Sequence, residues 1–103
     1  MIAKLRRGTT EPISYDLPFP ADRLAAAYIT VQQNDETVIE KKLEDMAIDG
    51  NRISAKLTQA EALALKSGVF AMVQLRARDV NGDSYDSEVE LVTVGMLLKD
   101  GEI

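Results

Sequence analysis

The residues best placed to do chemistry in this 103-residue chain are acidic, and they gather near its end. Asp79, Asn81 and Asp83 put side-chain oxygens at the first, third and fifth positions of a calcium-loop pattern, with Glu90 at the twelfth. That pattern requires glycine at the sixth position and a helix on either side. Here the sixth residue is Ser84, and both flanks read as strands. The expectation is therefore an Asn-Gly hairpin carrying ordinary turn residues, not a cation site. A second group is Asp86, Glu88 and Glu90, facing Arg76 and Arg78 on a neighbouring strand. Paired carboxylates do acid–base work where a deep pocket raises the pKa of one of them. On two antiparallel strands the same charges simply pair, each pair worth roughly 0.2–1 kcal/mol. Set against another subunit, they would fix register and partner choice more than affinity.

Other chemistry is limited by what the chain lacks. It has no cysteine, which removes disulfides, thiolate nucleophiles and cysteine-ligated metal. It has no histidine, which removes the usual general base and the commonest neutral metal ligand. Ser14, Ser54, Ser67, Ser84 and Ser87 cannot build a histidine-dependent triad, and no motif marks a serine–lysine pair. No catalytic residue, cofactor or metal is expected.

The net charge of −5, from 17 acidic and 12 basic residues, opposes the phosphate neutralisation on which nucleic-acid binding depends. Lys4, Arg6 and Arg7, with Lys41 and Lys42, could form a basic surface, but such runs on strands more often mark solvated sheet edges. No apolar run approaches the ~20 residues of a membrane helix, and the first residues lack a signal-peptide core. The expectation is a protein soluble in a reducing cytoplasm, with no membrane or nucleic-acid partner.

The elements that would position these residues are strands. Length and the absence of a linker predict a single domain over 1–103. Residues 2–7 read as an edge strand, and 11–17 alternate with Ile13, Tyr15 and Leu17 on one side. Pro18-Phe19-Pro20 stops pairing, and at most a turn of helix precedes a strand at about 26–33. Asn34-Asp35 turns the chain into a strand at 37–43, and Asp49-Gly50-Asn51 precedes another at 52–57. Thr58-Gln59-Ala60-Glu61 fits a capping box, predicting one helix over about 59–66, with Leu57, Leu63 and Leu65 covering the core and Gly68 ending the turn.

Val69 to Arg78 is the clearest strand, its apolar face made by Val69, Ala71, Val73, Leu75 and Ala77. Asn81-Gly82 predicts a type I′ hairpin into a strand from Ser84 to Val94, with Tyr85, Val89 and Leu91 on its apolar face against Asp86, Glu88 and Glu90; the apolar phase slips at Leu91-Val92-Thr93-Val94, the mark of a bulge or a change of partner. Residues 95–98 allow a last short strand. About seven strands and one connecting helix predict a mainly β protein, an antiparallel β-sandwich. Phe19, Phe70 and Met72 break the alternation, either because their strand is buried on both faces or because they meet another subunit. The candidate interface set is Phe70, Met72, Arg76, Arg78, Glu88 and Glu90.

Several segments together carry a resemblance: Arg7-Gly8-Thr9-Thr10 leading into a strand, Leu57-Thr58-Gln59-Ala60-Glu61 with Gly68, Val73-Gln74-Leu75-Arg76-Ala77-Arg78, and Leu98-Lys99-Asp100-Gly101-Glu102-Ile103. In that order and spacing the chain resembles small hypothetical proteins of tailed phages and prophages of Gram-positive bacteria. These are in turn similar to the immunoglobulin-like amino-terminal domain of phage baseplate upper proteins. The resemblance implies an immunoglobulin-like sandwich and a non-enzymatic structural or assembly protein, a tail, baseplate or head–tail component. Its partners would be other phage structural proteins or itself, as a homo-oligomer, and it would be made in the cytoplasm and carried into the virion. It transfers no catalytic residue. The matching segments stop at Ile103, so a receptor-binding role is not expected. The other reading of the same framework is a small binding module or accessory regulator of a cellular complex, since fold does not fix function.

Overall fold

The structure, a computed structural model, describes residues 4–6, 12–66 and 68–95. Among the described residues nine strands and one short α-helix follow one another: β1 (Lys4–Arg6), β2 (Pro12–Asp16), β3 (Leu24–Gln33), β4 (Glu36–Lys42), β5 (Met46–Asp49), β6 (Arg52–Lys56), α1 (Gln59–Leu63), β7 (Ala71–Asp79), β8 (Ser84–Asp86) and β9 (Glu90–Gly95). They form two sheets. One runs β1-β9-β7-β3-β4, with β8 also paired to β7; the other runs β2-β6-β5. All pairings are antiparallel except β1 with β9, which is parallel from Lys4↔Thr93 to Arg6↔Gly95. A three-stranded sheet facing a larger one, with the first strand lying parallel to the last, is an immunoglobulin-like sandwich.

Strict alternation builds the core. On β7 the buried residues are Ala71, Val73, Leu75 and Ala77; on β3 they are Ala27, Ile29, Val31 and Gln33, with Leu24 also buried ahead of a register shift. Opposite them, the small sheet contributes Ile13 and Tyr15 from β2 and Ile53 and Ala55 from β6. Ile39 of β4 and Val92 and Val94 of β9 join the cluster, as do Leu17, Ala21, Leu57, Ala62 and Leu65 from α1 and the connections. Phe19 belongs with it: half-buried, its ring meets Tyr85 edge-on at 6.3 Å, which accounts for one of the three residues that alternation left unexplained. The segment before β3 is a single 3₁₀ turn, Ala21–Arg23, and not a longer helix.

Two turns differ in kind. Asn34 and Asp35 both take positive φ, 53° and 64°, which makes a two-residue type I′ hairpin between β3 and β4. Asn81 does not; only Gly82 does, at 88°. The expected type I′ turn there is instead a wider loop. The Gly82 amide donates to the Asp79 carbonyl and the Asp79 amide to the Asp83 carbonyl, as in a type I turn completed by a left-handed glycine. The Asp79 carboxylate selects this form by accepting from the amides of both Asn81 and Asp83 at 2.9 Å.

Helix α1 is shorter than expected, five residues, but its start is as read. Thr58 Oγ1 accepts from the Glu61 amide at 3.1 Å and Glu61 Oε1 accepts from the Thr58 amide at 3.0 Å. Leu57, Ala62 and Leu65 are buried beneath it and Leu63 is half-buried. Lys41, on the core-facing side of β4, donates to the same Glu61 oxygen at 2.5 Å, tying the helix to the sheet edge. Burial pushes the Glu61 carboxyl up, but Lys41 and Thr58 outweigh it and hold the group below its ordinary value. The contribution of this pair is therefore complete above the unfolded-state pKa and disappears as pH falls through the lower folded-state value. Glu61→Gln keeps the cap and loses the ion pair. It is expected to cost about 1 kcal/mol at pH 7, a deficit that should close in urea titrations of the two proteins as pH falls through the depressed folded-state value. A pH-independent deficit would refute the assignment.

Strand β5 has no counterpart in the sequence reading. Its four residues are exposed or half-buried, so no buried alternation announces it. The strand expected over 84–94 is two strands. Ser87, in the break, stands opposite Leu75: its amide donates to the Leu75 carbonyl at 2.8 Å, while its own Oγ, not its carbonyl, accepts from the Leu75 amide at 2.9 Å. The carbonyl of Ser87 takes the Gln74 side-chain amide instead, at 3.0 Å. This is the physical form of the phase slip. Past the break Val92 and Val94 point into the core, whereas Val89 and Leu91, expected on the apolar face, are 54% and 68% exposed. Of the short strand expected over 95–98, Gly95 ends β9 and the rest lies outside the described residues.

Candidate functional site

The two outer faces of the sandwich differ in chemistry. Outward positions of the small sheet carry Ser14 and Asp16 on β2, Arg52, Ser54 and Lys56 on β6, and Ala47 and Asp49 on β5. Its main feature is an ion pair, Arg52 Nε to Asp16 Oδ1 at 2.9 Å, which holds the Asp16 carboxyl below its usual range. Both partners are exposed, so the pair adds little stability. This face is a solvated one.

The outer face of the large sheet mixes apolar, aromatic and charged groups. Alternation along β7 turns Met72, Gln74, Arg76 and Arg78 outward; along β3 it turns out Ala26, Tyr28, Thr30 and Gln32. The register sets Leu91 of β9 beside Met72 and Asp86 of β8 beside Arg76. Arg76 Nε and Asp86 Oδ1 lie 3.2 Å apart, the cross-strand pair expected from the charges. A shallow depression of about 470 Å³ lies on this face, lined among others by Tyr28, Thr30, Glu40, Arg76, Arg78 and Asp86. Phe70, just before β7, is 63% exposed. Phe70 is thus not part of a second buried side of the strand, and Met72, on the outward side, is half-buried. A smaller apolar hollow at that end is lined by Gly68, Val69, Phe70, Thr93 and Val94.

The structure therefore brings Met72, Arg76 and Arg78 onto one face, with exposed Phe70 just before the same strand, and separates the two remaining candidates. Glu88 lies in the β8–β9 break. Glu90 is opposite Val73, on the inward side of the sheet margin, so it does not share a face with Asp86. Burial raises the Glu90 carboxyl above its ordinary value, with Glu88 adding to the effect, but neither residue lines the depression that contains Asp86. Tyr15 is pushed up by burial while a hydrogen bond with Ser87 pulls it down. The Ser87 hydroxyl is itself engaged, accepting from Leu75 and donating to the Glu88 carbonyl at 3.1 Å. Asp79 spends an oxygen on its own turn. Among the described residues no three His, Cys, Asp or Glu side chains converge to hold a metal ion, and no helix is long and apolar enough to cross a membrane. The basic residues do not form one surface: β1 and β4 are opposite edges of the large sheet, and Arg7 lies outside the described residues.

The sequence reading missed one buried polar residue, Gln33, 3% exposed at the end of β3. Its Nε2 donates to the carbonyls of Lys66 at 2.9 Å and Val69 at 3.2 Å, and its Oε1 accepts from the Lys66 amide at 2.8 Å. The available signal was its inward phase in β3, the phase of Ile29 and Val31.

No protein-family model matches the chain, and no curated protein or solved structure matches it either. The class defined by the fold is an immunoglobulin-like β-sandwich.

Proposed function

We propose that this chain is a non-enzymatic docking module that binds other proteins through the outer face of its large sheet, and that it serves as a structural or assembly component of a phage or prophage particle. The observation that carries the docking reading is the contrast between the two outer faces. One is covered by short polar groups and a solvated ion pair; the other exposes Tyr28, Phe70 and Leu91 beside arginines. Aromatic residues and arginine are the types enriched where proteins meet. The particle assignment draws on the sequence resemblance, with which the immunoglobulin-like strand order agrees.

Mass spectrometry of particles purified from an induced culture of the source bacterium tests the second half. The chain is expected at stoichiometric levels, and intact particles without it would overturn the particle assignment. A Leu91→Arg variant tests the first half. Leu91 is 68% exposed, so the variant should fold with stability within about 0.5 kcal/mol of wild type yet be depleted from the particles. Undiminished incorporation of Leu91→Arg and of a parallel Phe70→Ser variant would sink the docking face.

A further inference from the structure

The large sheet carries across its outer face a row of four side chains whose chemistry is complementary to its own reverse. Strand register aligns Asp86 of β8 with Arg76 of β7, Arg76 with Tyr28 of β3, and Tyr28 with Lys42 of β4. All four are exposed. We propose that the occupant of this face is a second copy of the chain, related by a two-fold axis that lies along the strands between β7 and β3. The proposal rests on the docking reading above and names the partner.

Such an axis reverses the order of strands and keeps the level along them. It lays β7 over β3 of the other copy and β8 over its β4. At the level of the row, Arg76 then lies over the ring of Tyr28 and Asp86 meets Lys42, each contact made twice because the interface is isologous. On the neighbouring levels Arg78 lies over Ala26 and Gln74 over Thr30, so no cation opposes another cation. Glu40 comes over the β8–β9 break that carries Glu88, a like-charge approach at the solvated rim. The other in-plane axis, across the strands, would set Arg76 over Met72 and Asp86 near Leu91, burying charge against apolar groups at a cost in desolvation. The charge pattern selects the first arrangement. The four strand positions that overlap, ~4.8 Å apart and about seven residues long, give roughly 450 Å² per copy, just under the total of about 1,000 Å² expected of a specific interface. A dimer of roughly micromolar affinity is the corresponding expectation.

A charge exchange tests this directly. Lys42→Asp sets Asp86 against aspartate in its own dimer, and Asp86→Lys sets lysine against Lys42. Each variant alone should dimerise at least roughly ten-fold more weakly than wild type in sedimentation equilibrium, both contacts being affected. Mixed in equal amounts, the two restore Asp–Lys at both contacts and should form a heterodimer about as tight as the wild-type dimer. Tyr28→Leu provides an independent weakening without any change of charge. A wild-type chain that stays monomeric to millimolar concentration overturns the second copy as occupant, and so does a dimer indifferent to all three substitutions. Loss of Leu91→Arg from particles, seen together with a monomeric wild type, would leave the docking face standing with a different partner.

Discussion

Leu75→Ala is expected to remove about 4 kcal/mol of folding stability, a large fraction of the roughly 5–15 kcal/mol that a domain of this size has. Leu75 is fully buried at the middle of β7, the strand that pairs with β3 on one side and with β8 and β9 on the other. It lies opposite Ile29 in register, and Ile13 and Ile53 of the small sheet belong to the same buried cluster. Its backbone is held on both margins, by β3 and by Ser87, so the strand cannot easily move in to fill the space left by the side chain. The truncation should lower the thermal midpoint by roughly 20 °C and shift the urea midpoint with an unchanged slope. Leu75→Met, which keeps the volume, should cost less than about 1.5 kcal/mol. If alanine cost no more than methionine, the core would be collapsing around the site, contrary to the packing described.

The second large effect is expected at a polar residue. Gln33→Met retains most of the side-chain volume but leaves the Lys66 amide and the Lys66 and Val69 carbonyls without the partner they have in the native chain. Each buried group left unpaired costs about 1–3 kcal/mol, less where water can reach it, so a total near 3 kcal/mol is expected. The loss should concentrate in the connection from α1 to β7. Hydrogen exchange at the Lys66 amide is expected to speed up more than exchange at the centre of β3, where the amides stay in the ladder. Equal acceleration at both would mean that Gln33 acts only as filler. Gln33→Glu should be no better at neutral pH, because a carboxylate cannot donate to the two carbonyls.

How much of this was legible in the sequence follows from how each feature is encoded. Strands buried on one face announce themselves by alternation, and β2, β3, β6 and β7 lie within two residues of their expected positions. The capping box is local chemistry, so Thr58 and Glu61 were readable; the helix length was not, because tertiary packing sets where it stops. Strand β5 pairs along one edge and buries little, which leaves no period to detect. At Asn81-Gly82 a side chain two residues earlier, Asp79, decided the turn type, and a dipeptide rule does not include it. Val89 and Leu91 turn to solvent because Ser87 uses its side chain where a strand residue uses its carbonyl, and hydropathy shows the slip only past that point, at Leu91–Val94. Of the candidate site, the shared face of Met72, Arg76 and Arg78 was visible in period two. The position of Tyr28 beside Arg76, and of Lys42 beside Tyr28, depends on the pairing of three strands and could be read only from the structure.

The order of strands also governs how the chain can reach this state. Neighbours in sequence pair in three places, β3 with β4, β5 with β6, and β7 with β8, and none of these hairpins encloses the core. The core closes only when β7 arrives between β3 and β9, and when β6 pairs with a β2 that precedes it by about forty residues. The parallel pair of β1 with β9 joins the two extremes of the described chain. Loop-closure entropy is thus spent before most apolar surface is covered, and such topologies fold on the scale of roughly milliseconds to seconds. During synthesis, β3 and β4 emerge well before β7 can shield them, so for that interval Ile29, Val31 and Ile39 have no buried environment of their own.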